Sequence, residues 1–438
     1  MTRMVSLVIG AALLAAAALA QAALPIENWT TSGGTKVYFV RAPSIPMLDL
    51  NIDFDAGSRF DPEDKAGLSA ITNGMLARGV TGMNESAIDE GFAVLGAMRR
   101  GGASDDRASM SLRTLTSEPE LSAAVALLAK ILATPTFPAE VLARERERIS
   151  QSLRESESKP EVIVQRTFST LLYGKHPYGL DATAASIAAI TRDEVVDFYR
   201  NRYGARRAVL SMIGDVTRSQ AEAIAEQLMR NLPPGGNAPA VSPVVVPAAA
   251  VERRIAHPAQ QSHILIGLPA IARGDPDFFP LFVGNYVLGG GGFASRLYSE
   301  VREKRGLAYS VYSYFSPQLQ PGPFTIGLQT QKEQTDVALG VVREVLARFL
   351  AEGPTATELT AAKANLVGGF PLRIDSNRKI LDNLANIGFF GLPLDYLDTW
   401  PGRVEQVTAA QIKAAFARYV LPDRMATVVV GAGDAAPK

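Results

Sequence analysis

The sequence repeats a pattern of residues at a spacing of about half its length, and this repeat constrains the fold more than any other feature. Each copy has a threonine, a helical pattern, an arginine and an apolar run that ends in glycine. Equivalent positions are 217 residues apart (408 − 191, 416 − 199 and 431 − 214): Thr191 and Thr408, Tyr199 and Phe416, and Gly214 and Gly431. Upstream, residues 138–141 match residues 356–359 with one inserted residue. The repeat predicts two halves with the same fold.

A segment rich in proline and glycine separates the two copies. It begins Leu232-Pro-Pro-Gly-Gly-Asn, a composition typical of an extended connection without helix or strand. We therefore predict an N-terminal domain over residues 23–231, a linker over 232–250 and a C-terminal domain over 251–438.

Within each half, strand patterns are followed by long helical patterns. Residues 47–56 alternate apolar and polar side chains as a half-buried strand does, residues 109–115 do so less regularly, and residues 208–213 are mostly apolar. Residues 121–132 and 138–157 predict helices, the second with its proline in the tolerated first turn. The sequence thus predicts an α+β fold: two homologous α/β-sandwich domains, each an antiparallel-rich sheet covered by helices, that form a clam-shell.

The composition excludes several kinds of chemistry. Lysine plus arginine and aspartate plus glutamate number 44 each, so no overall field favours nucleic acid or an anionic membrane. The chain has no cysteine, which excludes disulfides, thiolate zinc ligands and cysteine nucleophiles. Of the three histidines, we interpret His176 as a structural residue of a turn. We place His257 and His263 on one strand, roughly 20 Å apart at about 3.3 Å per residue, which is too far to share a metal ion.

The first 22 residues have the features of a cleavable secretory signal. Arg3 provides a basic start, residues 5–19 are apolar, and residues 20–22 have the small-residue pattern of a cleavage site. The mature chain is then predicted to begin near Ala23 and to be periplasmic, without membrane attachment after cleavage. The alternative is a membrane anchor, although the apolar stretch is shorter than the roughly 20 residues that a spanning helix needs.

Two segments carry a resemblance to a known family. The first comprises Gly57-Ser-Arg-Phe-Asp-Pro62 and Lys65-Ala-Gly-Leu68. The second, which is more specific, is Leu288-Gly-Gly-Gly-Gly-Phe-Ala-Ser-Arg-Leu-Tyr-Ser-Glu-Val-Arg-Glu-Lys-Arg-Gly-Leu-Ala-Tyr309. They resemble the pitrilysin and insulinase metallopeptidases, and the resemblance covers nearly the whole mature chain. It implies two related α+β halves around a cavity, in agreement with the repeat.

The zinc-binding motif of that family is missing at the corresponding positions. In active members a helix carries His-x-x-Glu-His, whose histidines bind zinc and whose glutamate acts as the general base. Here the resemblance aligns Ala70, Asn73 and Gly74 with those residues, and Gln151 or Ser152 with a further glutamate ligand. The resemblance therefore implies the non-zinc type of subunit, with no cofactor in this chain and zinc in a homologous partner that has an intact motif.

The resemblance also implies that another part of the site is retained. In the family an arginine and a tyrosine of the second domain hydrogen-bond the substrate carbonyl, and they match Arg302 and Tyr309. A guanidinium and a phenol in a dry cleft would stabilise the negative oxygen of a tetrahedral intermediate. Without the resemblance, Arg302 would be interpreted as a solvated helix charge and Tyr309 as a core aromatic residue.

Edge strands are predicted to bind the substrate peptide. The resemblance implies that an extended peptide pairs with an edge strand near Gly101, Gly102, Ala103 and Ser104, although the same residues equally suit an ordinary hairpin turn. Residues 324–330 are a second candidate edge with less support.

A run of four glycines, residues 289–292, precedes the segment that contains the matched arginine. It is not a phosphate-binding loop, because no Lys-Ser or Lys-Thr pair follows it. We expect a tight turn there, with Gly290 and Gly291 in contact with the peptide.

Three functions are compatible with these features. The first is the non-zinc subunit of a two-chain metallopeptidase whose substrate is a peptide. The second is a catalytically inactive peptide-binding or scaffold protein, possibly a homodimer. The third is an independent peptidase with substitute metal ligands. The absent ligands and the retained arginine and tyrosine together favour the first.

Overall fold

Two β-sheets form the framework of residues 25–432, the part of the chain that the computed structural model describes. The strands of the first half are β1 (Glu27–Thr30), β2 (Lys36–Arg41), β3 (Met47–Phe54), β4 (Gly79–Val80), β5 (Met83–Asn84), β6 (Met98–Ala103), β7 (Ala108–Leu115) and β8 (Ala208–Gly214). Those of the second half are β9 (Val251–Ala256), β10 (Gln261–Ile271), β11 (Ala308–Phe315), β12 (Gly322–Gln331) and β13 (Ala426–Gly431). Residues 232–250 contain neither helix nor strand.

The two sheets share a five-strand topology, and the first has one additional strand, β1, at its edge. The first has the order β1-β2-β8-β3-β7-β6 and the second the order β11-β12-β10-β13-β9. Strands β2 and β8 are parallel, as are β9 and β13, and every other pair within these two sheets is antiparallel. The edge strand β6 therefore corresponds to the edge strand β11. The predicted fold class is confirmed, and the repeated run ending in glycine forms β8 in one sheet and β13 in the other.

Helices pack on both sheets. Those of the first half are α1 (Leu68–Met75), α2 (Glu85–Val94), α3 (Glu120–Ala133), α4 (Ala139–Ser156), α5 (Pro160–Tyr173), α6 (Ala184–Ala189), α7 (Arg192–Arg202) and α8 (Arg218–Met229). Those of the second half are α9 (Phe278–Asn285), α10 (Thr335–Glu352), α11 (Ala356–Gly368), α12 (Asn377–Phe390), α13 (Tyr396–Gln406) and α14 (Ala409–Tyr419). The repeated threonines, Thr191 and Thr408, cap equivalent helices, α7 and α14, each in a capping box.

Strand β3 is buried on both faces rather than on one. Its apolar face, which includes Leu50 and Phe54, is fully buried as predicted. Asp49 and Asp53 on the other face are also buried, at 4% and 1% exposure, so the prediction of a half-buried strand was wrong. Both carboxylates are stabilised by ion pairs: Asp49 with Arg113 and Asp53 with Arg107.

Helix α12 of the second half covers that other face of the first sheet. It packs on β2, β3 and β8. Leu381 and Leu384 of α12 form a buried cluster with Val40 and Ile213 of the first sheet. The contact is close, because a Cβ added to Gly388 would lie 2.6 Å from a methyl group of Val209.

Helix α5 of the first half covers the second sheet in return. It packs on β10 and β13, and its residues Val164, Phe168 and Leu172 belong to the core of the second half. The Phe168 ring lies over Gly267 of β10, where an added Cβ would be 3.0 Å from its Cζ atom. Each half therefore completes the core of the other through one exchanged helix.

The histidines occupy structural positions. His176 Nδ1 accepts a hydrogen bond from the Tyr178 backbone N–H (3.1 Å) and starts a short 3-10 turn, as predicted. His257 follows β9 and His263 lies in β10, so their assignment to one strand was wrong. The intervening Pro258 and Ala259 belong to the connection between these strands.

The structure can be searched for membrane-spanning helices in residues 25–432, but it does not test the predicted export signal. Within residues 25–432 no helix combines the length and the apolar character that are needed to cross a bilayer. The signal-peptide prediction for residues 1–22 lies outside the described part of the chain.

We expect Phe168→Ala to lower the free energy of unfolding by about 3–5 kcal/mol, because it removes a buried aromatic ring. Since the ring joins the two halves, both should lose stability in one cooperative transition. Urea unfolding measures this through the two tryptophans, Trp29 in the first half and Trp400 in the second, each retained alone in a single-tryptophan variant. Gln165→Ala, on the exposed face of the same helix, is the control. Separate transitions for the two tryptophans would contradict the exchange of helices as a source of cooperativity.

Candidate functional site

Helix α1 carries the three positions where the resemblance places a zinc motif. Ala70 and Gly74 lie one turn apart on its exposed face, and a Cβ added to Gly74 would meet no atom within 4 Å. The side chain of alanine offers no donor atom to a metal ion, and glycine has no side chain. This face of α1 is therefore accessible to solvent, but Ala70 and Gly74 give it no side chain that could bind a metal ion or transfer a proton.

Asn73, the position of the general base, is turned into the protein. It is 3% exposed, and its Nδ2 donates to the Ser109 carbonyl (3.2 Å) and to the Tyr203 hydroxyl (3.3 Å). An amide held in this way cannot take a proton from water. None of the three positions therefore provides a zinc ligand or a general base.

The fourth aligned position is equally unsuitable. Gln151 lies on the exposed surface of α4, and its amide donates to Glu155 one turn later (3.0 Å). Within residues 25–432 no group of three or more His, Cys, Asp or Glu side chains is arranged to hold a metal ion.

Asp61 holds the start of α1, a role that sequence reasoning missed. Its carboxylate accepts hydrogen bonds from the backbone N–H groups of Gly67 and Ser69, both at 2.9 Å. Burial raises the pKa of Asp61 to about 7, and those N–H groups act in the opposite direction. Asp61 precedes Gly67 by six residues, outside the usual helix-capping spacing, so the sequence gives no local signal for it.

The predicted peptide-binding stretch is both an edge strand and a turn. Gly101, Gly102 and Ala103 end strand β6, which pairs with β7 on one side and with no other strand in residues 25–432. Ser104 begins the turn to β7, and its carbonyl accepts a hydrogen bond from the Ser58 N–H (2.9 Å). The edge of β6 beside Gly101 is close to α1, since a Cβ added to Gly101 would lie 2.8 Å from Asn73 Oδ1.

The turn after β6 is fastened to the second half of the chain. Asp106 accepts hydrogen bonds from the Leu319 N–H (2.9 Å) and from the Tyr178 hydroxyl (2.5 Å). Arg107 donates to Asn386 of α12 (2.9 Å) and pairs with the buried Asp53 (3.2 Å). The edge strand thus has a fixed position relative to the second half.

Residues 324–330, the second candidate edge, are not at an edge. They belong to β12, which pairs with β10 on one side and with β11 on the other. The prediction was wrong because an apolar run does not reveal the order of strands in a sheet. The edge strands of the second sheet are β9 and β11, and Tyr309 is the second residue of β11.

Arg302 and Tyr309 lie against each other at the start of this edge. Arg302 is in a π-helical turn (Tyr298–Glu303), and its guanidinium carbon is 4.6 Å from the centre of the Tyr309 ring. Its side chain forms no ion pair or hydrogen bond within residues 25–432. Tyr309 is 80% exposed, so this chain alone does not provide the dry cleft that was expected.

The backbone beside Tyr309 is irregular. The register of β11 against β12 shifts between Ala308 and Val311, which places a bulge at Tyr309 and Ser310. Bulges redirect side chains and end regular pairing near functional sites. At this bulge Tyr309 and Ser310 are both exposed, whereas the flanking Ala308 and Val311 are buried.

The glycine run packs tightly before Arg302. An added Cβ would lie 2.5 Å from Asn285 Nδ2 at Gly290 and 2.6 Å from the Tyr286 carbonyl oxygen at Gly291. These contacts explain the glycines by packing, and peptide contact by Gly290 and Gly291 stays a prediction. The run leads to Phe293, which is 75% exposed and which sequence reasoning did not single out.

The chain presents these features in two groups. The first half supplies the open face of α1 and the edge of β6, whereas the second half supplies Arg302, Tyr309 and the glycine run. Within residues 25–432 no hydrogen bond or ion pair joins Arg302 or Tyr309 to the first group.

Comparison with known proteins identifies the family. Residues 36–185 match the family model for insulinase, peptidase family M16. Residues 189–366 match the model for the peptidase M16 inactive domain. The chain belongs to the M16 peptidase family. The resemblance to pitrilysin and insulinase is confirmed.

Relatives of this M16 chain share most of its length. A crystal structure of a peptidase M16 inactive domain from Pseudomonas fluorescens is 38% identical, with a TM-score of 0.90 over 95% of this chain and 100% of that one. An uncharacterized zinc protease of Bacillus subtilis is 26% identical over 82% of this chain and 88% of its own length. The periplasmic protease PqqL from Escherichia coli is 17% identical, with a TM-score of 0.79 over 93% of this chain and 45% of PqqL. The PqqL likeness concerns the fold alone.

Alanine substitutions at two neighbouring glycines, Gly101 and Gly102, test the contact between β6 and α1. We expect Gly101→Ala to lower the free energy of unfolding by about 1–3 kcal/mol, because the new methyl group displaces the hydrogen-bonded Asn73. Gly102→Ala is the matched control, since its Cβ meets nothing within 4 Å. Chemical unfolding of both variants measures the difference. Equal stabilities would show that Asn73 moves aside without cost.

Asp61 should make stability depend on pH. Its folded pKa of about 7 exceeds the unfolded value of about 3.9, so the folded chain binds the extra proton between these pH values. This contribution to stability is fully present below about pH 4 and is lost as pH rises through 7. We therefore expect the unfolding free energy of the wild type, minus that of Asp61→Asn, to fall between pH 4 and pH 8. Asp64→Asn, at an exposed position, is the control, and a difference that is constant with pH would refute the prediction.

Proposed function

We propose that this M16 chain is the non-zinc subunit of a heterodimeric periplasmic zinc metallopeptidase. A homologous partner subunit supplies zinc and the general base from an intact His-x-x-Glu-His motif. This chain supplies Arg302 and Tyr309, which bind the peptide and stabilise the scissile carbonyl. The main observation behind the proposal is that Arg302 has no counter-ion and lies beside the exposed Tyr309. In the same chain, the positions aligned with the zinc motif contain no residue that can bind zinc.

The state of Arg302 supports the role of anion stabiliser. An arginine with a purely structural role normally forms an ion pair. Arg296, six residues before Arg302, is an example, since it pairs with Glu358 (2.7 Å). Arg302 instead contacts the faces of three aromatic rings, at 4.6 Å for Tyr309, 4.8 Å for Tyr298 and 6.0 Å for Phe293. Ring faces hold a guanidinium in place without using its N–H donors. Those donors remain available to a substrate.

The chemistry assigned to the pair is stabilisation of a developing negative charge. When water adds to a peptide carbonyl, its oxygen becomes an oxyanion, which N–H and O–H donors of fixed position stabilise. Arg302 and the Tyr309 hydroxyl are such donors. Water activation and proton transfer are assigned to the partner, because Ala70, Asn73 and Gly74 contain no group that could perform them.

The exposure of Tyr309 supports the requirement for a second chain. Donors act strongly on an oxyanion only where water is excluded. An 80% exposed phenol does not meet that condition within one chain. A partner that covers the start of β11 would provide it, whereas a scaffold protein has no need for an unpaired arginine at this position.

The edge of β6 is proposed to hold the peptide. Its outer N–H and C=O groups have no partner strand in the described residues, and an extended peptide can pair with them. The ties of Asp106 and Arg107 to the second half keep this edge at a constant position. Localisation in the periplasm is supported by the signal-like composition of residues 1–22 alone.

A tyrosine substitution tests the catalytic role. Purification of this chain with its associated proteins should yield a zinc-bearing homologue, and mixing the two chains should create peptidase activity that a chelator abolishes. We expect Tyr309→Phe to lower kcat by about 10²–10³, the usual effect of removing an oxyanion donor. Size-exclusion chromatography should show unchanged assembly.

Tyr314→Phe is the matched control, because Tyr314 is a half-exposed tyrosine on the same strand whose ring stacks on Tyr312. Its activity should equal that of the wild type. Three results would reject the proposal: equal turnover for Tyr309→Phe, absence of any zinc-bearing partner, or stoichiometric zinc in the isolated chain. The second result would leave the peptide-binding scaffold as the function, and the third an independent peptidase.

A further inference from the structure

The second half contains a pocket that the proposed peptidase role does not use. It has a volume of about 500 Å³ and lies between the loop 273–277, the start of α9 and the helices α13 and α14. This volume is within the range of roughly 300–1,000 Å³ that is typical of small-molecule sites. The pocket shares no residue with the Arg302 and Tyr309 group. Its apolar lining includes Pro276, Phe278, Phe279, Pro280, Leu392 and Pro393.

Two arginines line the pocket without a counter-ion. Arg273 and Arg403 form no ion pair and no side-chain hydrogen bond within residues 25–432. The Nε atom of Arg273 is buried and has no hydrogen-bond partner. The two guanidiniums contact the pocket's aromatic rings, Arg273 at 5.8 Å from Phe278 and Arg403 at 5.2 Å from Phe279. For Arg273 this arrangement is costly, because its buried Nε has lost hydration without gaining a hydrogen-bond acceptor.

The carboxylates in the pocket wall do not neutralise these arginines. Asp275 accepts hydrogen bonds from the Tyr419 hydroxyl and from the Asp277 N–H, both at 2.8 Å. Asp277 forms an ion pair with Arg418. Neither carboxylate pairs with Arg273 or Arg403, so within the described residues the buried Nε of Arg273 has no acceptor, and the exposed guanidinium of Arg403 is available to an anion from solvent.

A third donor faces the same space. Tyr396 lines the pocket, and its hydroxyl has no hydrogen-bond partner in the described residues. Burial raises the pKa of Tyr396, so the hydroxyl keeps its proton and can donate. The pocket thus combines apolar walls with two charged donors and one neutral donor.

We propose that this pocket binds an apolar group that carries a carboxylate, with the carboxylate on Arg273 and Arg403 and the apolar body against Phe278 and Phe279. A guanidinium binds a carboxylate through paired N–H donors, and the aromatic rings accommodate a ring or an alkyl chain of the ligand. Two sources have this chemistry: a free carboxylic acid, and the C-terminal residue of a peptide when that residue is apolar.

Titration of the purified chain with small probes tests the site. The probes are 3-phenylpropanoate as the free acid, acetyl-Ala-Ala-Phe as the peptide C-terminus, and the amide of each as the neutral analogue. We expect one saturable site in isothermal titration calorimetry, with each binding acid at least about tenfold tighter than its amide, as expected when a charge-assisted hydrogen bond is lost. A tighter complex with the tripeptide identifies a peptide terminus as the source, and a tighter complex with 3-phenylpropanoate identifies a free acid.

Substitution locates the site. Arg273→Gln and Arg403→Gln should each weaken binding at least about fivefold, since each removes one charged donor. Arg403 is exposed, so its variant should fold even if Arg273→Gln does not. The control is Arg202→Gln, which removes an arginine that lies over a ring (Phe60, 4.3 Å) in the first half and should bind as the wild type does. Absence of saturable binding, equal affinity for acid and amide, or wild-type affinity in Arg403→Gln would overturn the proposal.

Discussion

Each sheet of this chain has two faces to cover, and the way in which the second face is covered determines how the halves are joined. Helices of its own half cover one face, and a helix of the other half covers the remainder: α12 on the first sheet and α5 on the second. Burial of apolar surface is the main stabilising contribution to folding, so neither sheet reaches its full stability without the opposite half. The relative position of the two edge strands, β6 and β11, follows from this exchange. Hydrogen bonds of Asp106 and Arg107 across the junction then fix it locally.

The two halves share one topology but present different chemistry at equivalent edges. In the first half, α1 stands beside β6 and offers an open face and two glycines. In the second half, a π-helical turn stands before β11 and offers a guanidinium stacked on a phenol. The repeat thus gives two equivalent regions, one beside β6 and one at the start of β11. The region at β11 has side-chain donors for an anion, whereas the region at β6 offers only backbone N–H and C=O groups. A division of labour between chains is consistent with this asymmetry, because the missing function is confined to one of the two places.

The sequence predicted the elements better than their packing. The repeat, the apolar run that forms β8 and the helices over 121–132 and 138–157 could be read locally, because each depends on periodicity within a short segment. The exchange of helices could not, because it joins residues that are far apart along the chain. Asp49 and Asp53 illustrate the difference: polar residues in alternation predict an exposed face, yet here they are buried with arginine partners. The family resemblance predicted that Arg302 and Tyr309 act together. Their exposure, the position of Phe293 and the role of Asp61 depend on tertiary contacts, which the spacing of residues along the sequence does not show.

The exchange also sets an order of events during synthesis. When the ribosome has completed α8, the first sheet still lacks α12, and α5 has no sheet to cover because β10 and β13 have not yet been made. The nascent first half therefore carries the apolar residues of α5 and, on the sheet face that α12 will cover, Val40 and Ile213, all without the partners that bury them in the complete chain. Such surfaces are the ones that molecular chaperones bind. The amino-terminal half thus has a complete set of its own strands, but it cannot bury all of its apolar surface before the second half is present.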